Sequence, residues 1–449
     1  MSPETEAKYL VAVVGAGPAG LYASRQLAEG GAHVALFNRD VKPGGLAEYG
    51  IYPNKLKMKG GLRKQFKSIL SSPRVDYYGN VNIGVEGDLS LDDLVDLGFQ
   101  AVLVTVGAQG TKWLGLPGEE LEGVYHAKDL VYHYNHLPPF SERQYPIGCR
   151  VALIGVGNVM CDIGHWTVRD LKVDEVTAVA RRGPAEVKFT SKEWKIFAKN
   201  LDLEAFEAEF ARCVPTMEAV GQEIEAAKEY ILSGVEKGQE PNSGTRFHFN
   251  FFSSPKRIVG NTEGNTVGLE VEDTKLVEVD GRLKAKGLGT TRVIEADTVV
   301  FCIGDKVDAN FGLPLQWNEF AKNPEPRYPV EDTSYEAFDP EGKADLGKIF
   351  LAGWAREAST GLVGAARKDG TNGANATLQY LAERGPAASL DTRELEQRLQ
   401  ALDKHVVVTD ELPRLLAVEA QIAESRGLEE FKYDSNEEML EAISAAETA

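Results

Sequence analysis

Two stretches of this 449-residue chain repeat one pattern, and that pattern leaves few folds open. "KYLVAVV" (8–14) runs into "GAGPAG" (15–20) and then the helical "LYASRQLAE" (21–29). "CRVALI" (149–154) runs into "GVGNVM" (155–160) and then "CDIGHW" (161–166). Both apolar runs are short and unbroken, as in a parallel strand buried on both faces. Each helix is followed by a second strand-like run, "HVALFN" (33–38) and "EVTAVA" (175–180). Strand, glycine loop, helix and second strand make a β-α-β unit, so the sequence predicts an α/β protein built on two such units. A Pro-containing connection, "PPFSERQYPIG" (138–148), leads into the second. Beyond it, residues 203–240 are acidic and helix-forming and residues 246–303 alternate like strands. "KIFLAGW" (348–354) reads as one more strand, and the tail from residue 373 reads as largely helical.

Gly15, Gly17 and Gly20 fit G-x-G-x-x-G between a strand and a helix. The first glycine makes the turn, the second lets the backbone approach a pyrophosphate, and the third permits close helix–strand packing. The helix N-terminus adds partial positive charge, so the pattern in this context predicts a dinucleotide. The residue that holds the ribose, about 20 positions on, is ordinarily acidic. Here it is Asn38, which accepts from a hydroxyl without carrying a charge. Arg39 beside it leaves open a phosphorylated nucleotide at this loop. The second loop has Gly155 and Gly157 but Met160 at its third position, so its helix is expected to sit a little further from the strand. Arg181 and Arg182 follow the second strand of that unit. There the adenosine ribose lies in such folds, and an Arg accommodates a 2′-phosphate. The plainer reading is a pair of solvated surface arginines. Two dinucleotide sites in one chain point to a resident flavin and a diffusing nicotinamide nucleotide.

The paired arginines stand out because the chain is acidic, with 68 Asp and Glu against 49 Lys and Arg and a formal net charge of −19. That balance argues against nucleic acid or an anionic membrane as a partner. No apolar run approaches the ~20 residues that span a bilayer. "MSPETEAKYL" has no basic leader, and Cys149, Cys161, Cys213 and Cys302 form no C-x-x-C. The sequence therefore predicts no redox dithiol, no metal centre and a cytoplasmic location. His133 and His136 form an H-x-x-H without further ligands and read as packed or surface histidines.

These residues and the runs around them resemble the adrenodoxin-reductase-type ferredoxin–NADP reductases. The matching segments include "VVGAGPAG" (13–20), "YYGNV" (77–81), "AVLVTVGAQ" (101–109) and "LPGEEL" (116–121). They continue with "GVGNVMCD" (155–162), "ARRGPAEVKFTSKE" (180–193), "FFSSPKRI" (251–258) and "GWAREASTGLVG" (353–364), so the likeness covers nearly the whole chain. The resemblance implies two Rossmann-like nucleotide-binding domains, with an NADP domain (108–335) inserted in a split FAD domain (1–107 and 336–449). It implies FAD contacts at Gly15, Gly17, Ala19, Gly20, Asn38, Leu46, Val81, Trp354, Gly361, Leu362 and Val363. It implies NADP(H) contacts at Val156, Gly157, Asn158, Val159, Arg181, Arg182, Glu193 and Gly361, and a proton relay at Asp162. In such enzymes the nicotinamide gives a hydride to flavin N5, and electrons leave singly to an iron–sulfur protein of the ferredoxin type, or return by the same route.

The chain also departs from that pattern. Pro53-Asn54-Lys55-Leu56 stands where the family has P-D-H-P, and Glu357-Ala358-Ser359 where it has R-G-P. "GGLAEYGIYPNKLKMKGG" (44–61) looks instead like the small subunit of glutamate synthase and electron-bifurcating reductases. A flavoprotein subunit held stably in a larger complex is therefore a second reading, and a non-catalytic NADP(H) sensor is a third. Lys55, Lys57, Lys59, Arg63, Lys64 and Lys67 form a local basic cluster. It is expected either to steer an acidic protein acceptor or to be a solvated helix face.

Overall fold

The computed structural model describes residues 7–447. The chain divides into two compact units, one inserted in the other. The first takes the residues up to Gly110, 132–142 and everything from Asp305 on, and the second takes 111–131 and 143–304.

The first unit is built on a seven-stranded sheet in the order Glu336–Asp339, Ala344–Leu351, Ala101–Val104, Tyr9–Val14, Ala32–Phe37, Val75–Gly79, Val407–Val408. The five central strands run parallel, and the strand at each edge is antiparallel. Tyr9–Val14 sits in the middle. Its Val11 and Val13 enter the core on one side of the sheet, and Leu10, Ala12 and Val14 enter the core on the other. That is why the run is apolar without alternation. Helix Pro18–Glu29 follows the first glycine loop, and the 22-residue helix Val363–Arg384 crosses its start. The crossing is close, because a Cβ at Gly370 would lie 2.1 Å from the Ala19 carbonyl oxygen.

The second unit holds a five-stranded, all-parallel sheet in the order Val124–His126, Thr298–Phe301, Arg150–Ile154, Glu175–Val179, Arg246–Asn250. An antiparallel meander of Ser253–Gly260, Thr266–Val279 and Arg282–Glu295 accompanies it. Phe189, Trp194, Phe197, Phe247 and Phe249 are buried together beside helices Leu203–Glu218 and Ile224–Glu236. The unit ends at Gly304 and not at the expected 335. The reason is hydrophobic: Phe311 and Phe320 pack with Leu94 and Phe99 in the core of the first unit. Residues 132–142 likewise belong to the first unit, where Tyr132 and Leu137 pack on Tyr49.

Within the first unit, buried ions fasten the C-terminal region to the segment that follows the second strand. Both Glu419 carboxylate oxygens accept from Lys42 Nζ, at 2.7 and 2.9 Å. Lys432 Nζ lies 3.0 Å from a Glu48 carboxylate oxygen, and Lys59 Nζ lies 2.9 Å from Glu430. Arg63 bridges Glu48 and Glu430. Burial alone pushes the Glu48 carboxyl up, but Lys432, Arg63 and Lys42 outweigh it and hold it well below the ordinary carboxylate range. Burial, with Lys42 and Lys59 nearby, pulls the Lys432 ammonium down to about 8.

Removing one partner of a buried pair strands the other charge, which costs about 3–5 kcal/mol. Glu419→Ala should destabilise the protein by that much in chemical unfolding, and Lys42→Met combined with Glu419→Met should recover most of the loss. Glu48 sets the acid limit. Its folded value lies below its ordinary 4.5, so its stabilising contribution is complete above 4.5 and is lost as the pH falls below it. In Glu48→Gln the acid-side loss of melting temperature should be visibly smaller than in the wild type.

Candidate nucleotide-binding sites

The two glycine loops are built alike. Gly15 N donates to the Phe37 carbonyl (2.8 Å), and Gly155 N donates to the Val179 carbonyl (2.9 Å). Gly15 has φ +103°, and a Cβ there would lie 2.7 Å from the Thr105 carbonyl oxygen. Gly155 has φ +119°, and its Cβ would lie 2.5 Å from the Cys302 carbonyl oxygen. At both, the strand end, the turn and a neighbouring strand end meet too closely for any side chain. Gly20 permits the same close approach one turn later, since its Cβ would fall 1.9 Å from the Gly15 carbonyl oxygen. In the second loop Met160 takes that position and is fully buried.

Gly17 and Gly157 are different. Each stands at the N-cap of the following helix, in extended backbone, with no side chain to satisfy the first-turn N–H groups. A methyl group added at either would meet no atom within 4 Å. Unsatisfied N–H donors at a helix start, facing open space, are the arrangement that receives a phosphate. Both loops thus fit the pyrophosphate of a dinucleotide.

In the first unit, Gly15, Gly17, Ala19, Gly20, Asn38, Leu46, Val81 and Trp354 gather around the first loop. Gly44 N donates to the Ala16 carbonyl (2.7 Å), and a Cβ at Gly45 would lie 3.1 Å from Gly17 Cα, so Leu46 begins its short helix against the cradle. A Cβ at Gly353, next to Trp354, would lie 2.7 Å from Ala19 Cβ. The Trp354 indole N–H donates to the Thr360 carbonyl (2.8 Å), which shapes the turn into Gly361, Leu362 and Val363. Leu362 caps the long helix and is 71% exposed.

Asn38 departs from the sequence expectation. Its amide oxygen accepts from Ala16 N (3.1 Å), and its amide nitrogen donates to the carbonyls of Asp40 (2.9 Å) and Lys42 (3.0 Å) and to the Tyr77 hydroxyl (3.2 Å). The residue aligned with the ribose ligand is a buried tie that holds the glycine loop to the chain after the strand. Arg39 is paired with Asp40 on the exposed side. Val81 N donates to the Asn38 carbonyl (2.9 Å), completing the same knot. Thr105 went unnoticed in the sequence. Its hydroxyl faces the carbonyls of Val14 (3.0 Å) and Gly15 (2.8 Å) at the loop entrance, and its only signal was a polar residue ending an apolar strand.

In the second unit, Arg181 and Arg182 are fixed through their backbones. The Arg181 carbonyl accepts from the Thr274 hydroxyl (2.8 Å), and the Arg182 carbonyl accepts from Phe252 N (3.1 Å). Among the described residues neither guanidinium has an acidic partner, in contrast to Arg150, Arg246, Arg257 and Arg292 in the same unit. Asn158 accepts at Oδ1 from Thr190 N (2.7 Å), and Val159 is 37% exposed at the helix start. Glu193 is half-buried on the helix Ser191–Trp194. Asp162 is half-buried and close enough to Cys302 that burial and its charge together push that thiol up. Gly361 lies in the first unit.

The basic cluster needs correction. Lys59 is 1% exposed and bound to Glu430, and Arg63 is spent on Glu48 and Glu430, so these two hold the fold together. Lys57, Lys64 and Lys67 remain exposed on helix Leu56–Leu70. His133 Nδ1 meets the Phe140 carbonyl, and His136 pairs with Asp434.

Asn38→Ala removes the acceptor for the buried Ala16 N–H and a donor to two carbonyls. It should cost about 1–3 kcal/mol in urea unfolding. It should also raise proteolysis of the 38–45 segment, whereas Arg39→Ala should do neither.

A family model described as pyridine nucleotide-disulphide oxidoreductase matches residues 9–201. NADPH-ferredoxin reductase FprA of Mycobacterium leprae is 27% identical over 410 residues, covering 83% of this chain and 84% of that protein. Mitochondrial NADPH:adrenodoxin oxidoreductase of Bos taurus is 27% identical over 388 residues, covering 79% and 75%. The solved structure of Mycobacterium tuberculosis FprA in complex with NADPH superposes with a TM-score of 0.79 at 24% identity, over 98% of this chain and 99% of that one, and shares the fold. Over most of its length the chain is thus similar to the NADPH-ferredoxin and NADPH:adrenodoxin reductases, and its first part matches the pyridine nucleotide-disulphide oxidoreductase model.

Proposed function

We propose that the protein transfers electrons between NADP(H) and an iron–sulfur protein of the ferredoxin type, with FAD as its resident cofactor. The observation that carries this reading is a pair of open phosphate cradles, at Gly17 and Gly157, of which only the second is followed by free arginines. The first cradle, with Ala19, Leu46, Val81 and Trp354 around it, is the proposed FAD site. The second, with Arg181 and Arg182, is the proposed NADP(H) site. Bound FAD supplies the exchange between two-electron and one-electron chemistry. The chain's part is to bind and orient. Gly17 and Gly157 leave helix N–H groups open to phosphate, and Thr105 and Asn38 fix the first turn. Asp162 is assigned the proton relay on the resemblance alone. The sequence carries no C-x-x-C, so this reading involves no redox dithiol. The cysteine spacing, with no C-x-x-C, supports a cytoplasmic location. No described helix is long and apolar enough to cross a membrane.

Guanidinium groups match phosphate oxygens geometrically, and one hydrogen bond to a charged group contributes about 1.5–3 kcal/mol. Arg181→Ala or Arg182→Ala should therefore lower kcat/KM for NADPH by about ten- to a hundredfold, at 1.4 kcal/mol per tenfold. NADH should change little. Equal losses for both nucleotides would show that the arginines hold the domain and do not read the 2′-phosphate.

The acceptor is proposed to meet Lys57, Lys64 and Lys67, whose spacing places them on one helix face. Exposed charges act on encounter rate and are screened over about 8–10 Å in ordinary salt. Reversing all three to Glu should slow reduction of a ferredoxin at low salt and leave small-dye reduction intact. A loss of both activities would reassign the face to folding.

A further inference from the structure

The segment after Arg182 runs along the rim of the second cradle, and one of its residues has no task in the reading above. The Lys188 N–H donates to the carbonyl of Val156 (2.8 Å), the residue between the two glycines of the loop. Two positions on, Thr190 N donates to Oδ1 of Asn158 (2.7 Å), the first residue of the following helix. Residues 188 and 190 thus flank the open position at Gly157. Phe189 between them is buried against Trp194, Tyr230 and Phe249, and its carbonyl accepts from the Tyr230 hydroxyl (2.7 Å). The backbone of Lys188 is therefore anchored at itself and on its C-terminal side.

The side chain of Lys188 is not anchored. It is exposed, and among the described residues its ammonium has no ion-pair or hydrogen-bond partner. Val187 and Thr190 are both extended, at φ −60°, ψ 141° and φ −85°, ψ 148°. Phe189 is buried in the core and Lys188 beside it is exposed, so the Lys188 side chain faces away from that core. Four methylenes carry an ammonium roughly 6 Å from its Cα at ordinary bond lengths. That reach covers the mouth of a cradle whose edge is one hydrogen bond away. An unpaired cation held there, beside unsatisfied helix N–H groups and in a chain of net charge −19, is placed for an anion.

We infer that the Lys188 ammonium binds the pyrophosphate bridge of the nicotinamide nucleotide. The inference rests on reading the second unit as the NADP(H) site. It divides the work among three cations. Arg181 and Arg182 read the 2′-phosphate, which only NADP(H) carries. Lys188 grips the bridge that NADP(H) and NAD(H) share, so it supplies affinity without selectivity.

Binding of NADP+ and of adenosine 2′-monophosphate to the flavin-loaded protein separates these roles, because the second ligand has the 2′-phosphate and no pyrophosphate. Titration calorimetry of wild type, Lys188→Met, Lys188→Arg and Arg181→Ala is the measurement. Lys188→Met should weaken NADP+ by about tenfold, one charge-assisted contact's worth, and leave adenosine 2′-monophosphate unchanged. Lys188→Arg should restore NADP+ binding to near the wild-type value. Arg181→Ala should weaken both ligands. If Lys188→Met leaves NADP+ unchanged, or weakens both ligands equally, the inference is overturned while the NADP(H) reading stands. A wild type that binds neither ligand would overturn the reading and the inference together.

Discussion

The ions buried between residues 42–63 and 419–432 govern how the first unit closes. Lys42 and Glu419 are 377 residues apart in the chain, yet both are nearly inaccessible and share two short contacts. Buried charges cost more in lost hydration than their attraction returns unless each is well partnered. Here the partnering is dense, since Glu48 meets Lys432 and Arg63, and Glu430 meets Lys59 and Arg63. Tyr49 lies among them, with the Lys432 and Lys42 ammonium groups 4.8 and 5.8 Å from its ring centre. An apolar contact tolerates sliding, whereas an ammonium meeting two carboxylate oxygens has one register. That register reaches the first phosphate cradle, because Gly44 and Gly45 lie between the clasp and the glycine loop and touch Ala16 and Gly17.

The two cradles share a backbone and differ in what their surroundings leave unspent. Around the first, polar side chains are consumed internally: Asn38 ties four groups, Thr105 faces two carbonyls, and Arg39 pairs with Asp40. Around the second, Arg181, Arg182 and Lys188 have anchored backbones and free charged ends. A site for a resident cofactor gains from rigid shape. A site for a nucleotide that arrives and leaves gains from charge that attracts it and from donors that distinguish its phosphates.

Much of this was legible in the sequence. Both β-α-β units and the paired arginines lie where local pattern placed them, because unbroken apolar runs and glycine spacing report local geometry; the strand expected at 348–354 is Ala344–Leu351, which begins earlier and ends before Gly353. The misreadings are all long-range. Lys59 and Arg63 looked like an exposed basic face because their partners Glu48 and Glu430 are not on their own helix. Asn38 looked like a ribose ligand because its position in the β-α-β unit suggests one, and nothing in sequence shows that Tyr77 and Lys42 reach it first. The boundary at 304 escaped because Phe311 and Phe320 are ordinary apolar residues until one sees which core they fill.

Net charge then constrains what such a chain can bind. At −19 it repels both a phosphorylated nucleotide and an acidic iron–sulfur protein at long range. Salt screens that repulsion beyond about 8–10 Å, so at contact only nearby charges matter. Binding sites for anions must therefore be local concentrations of cations that no internal carboxylate has claimed. In this fold most arginines and buried lysines are claimed. The proposed nucleotide cations at 181, 182 and 188 and the exposed lysines at 57, 64 and 67 are not. The first group sits on fixed backbone, where geometry selects a small ligand. The second lies along an exposed helix face, where the side chains can adapt to a protein surface.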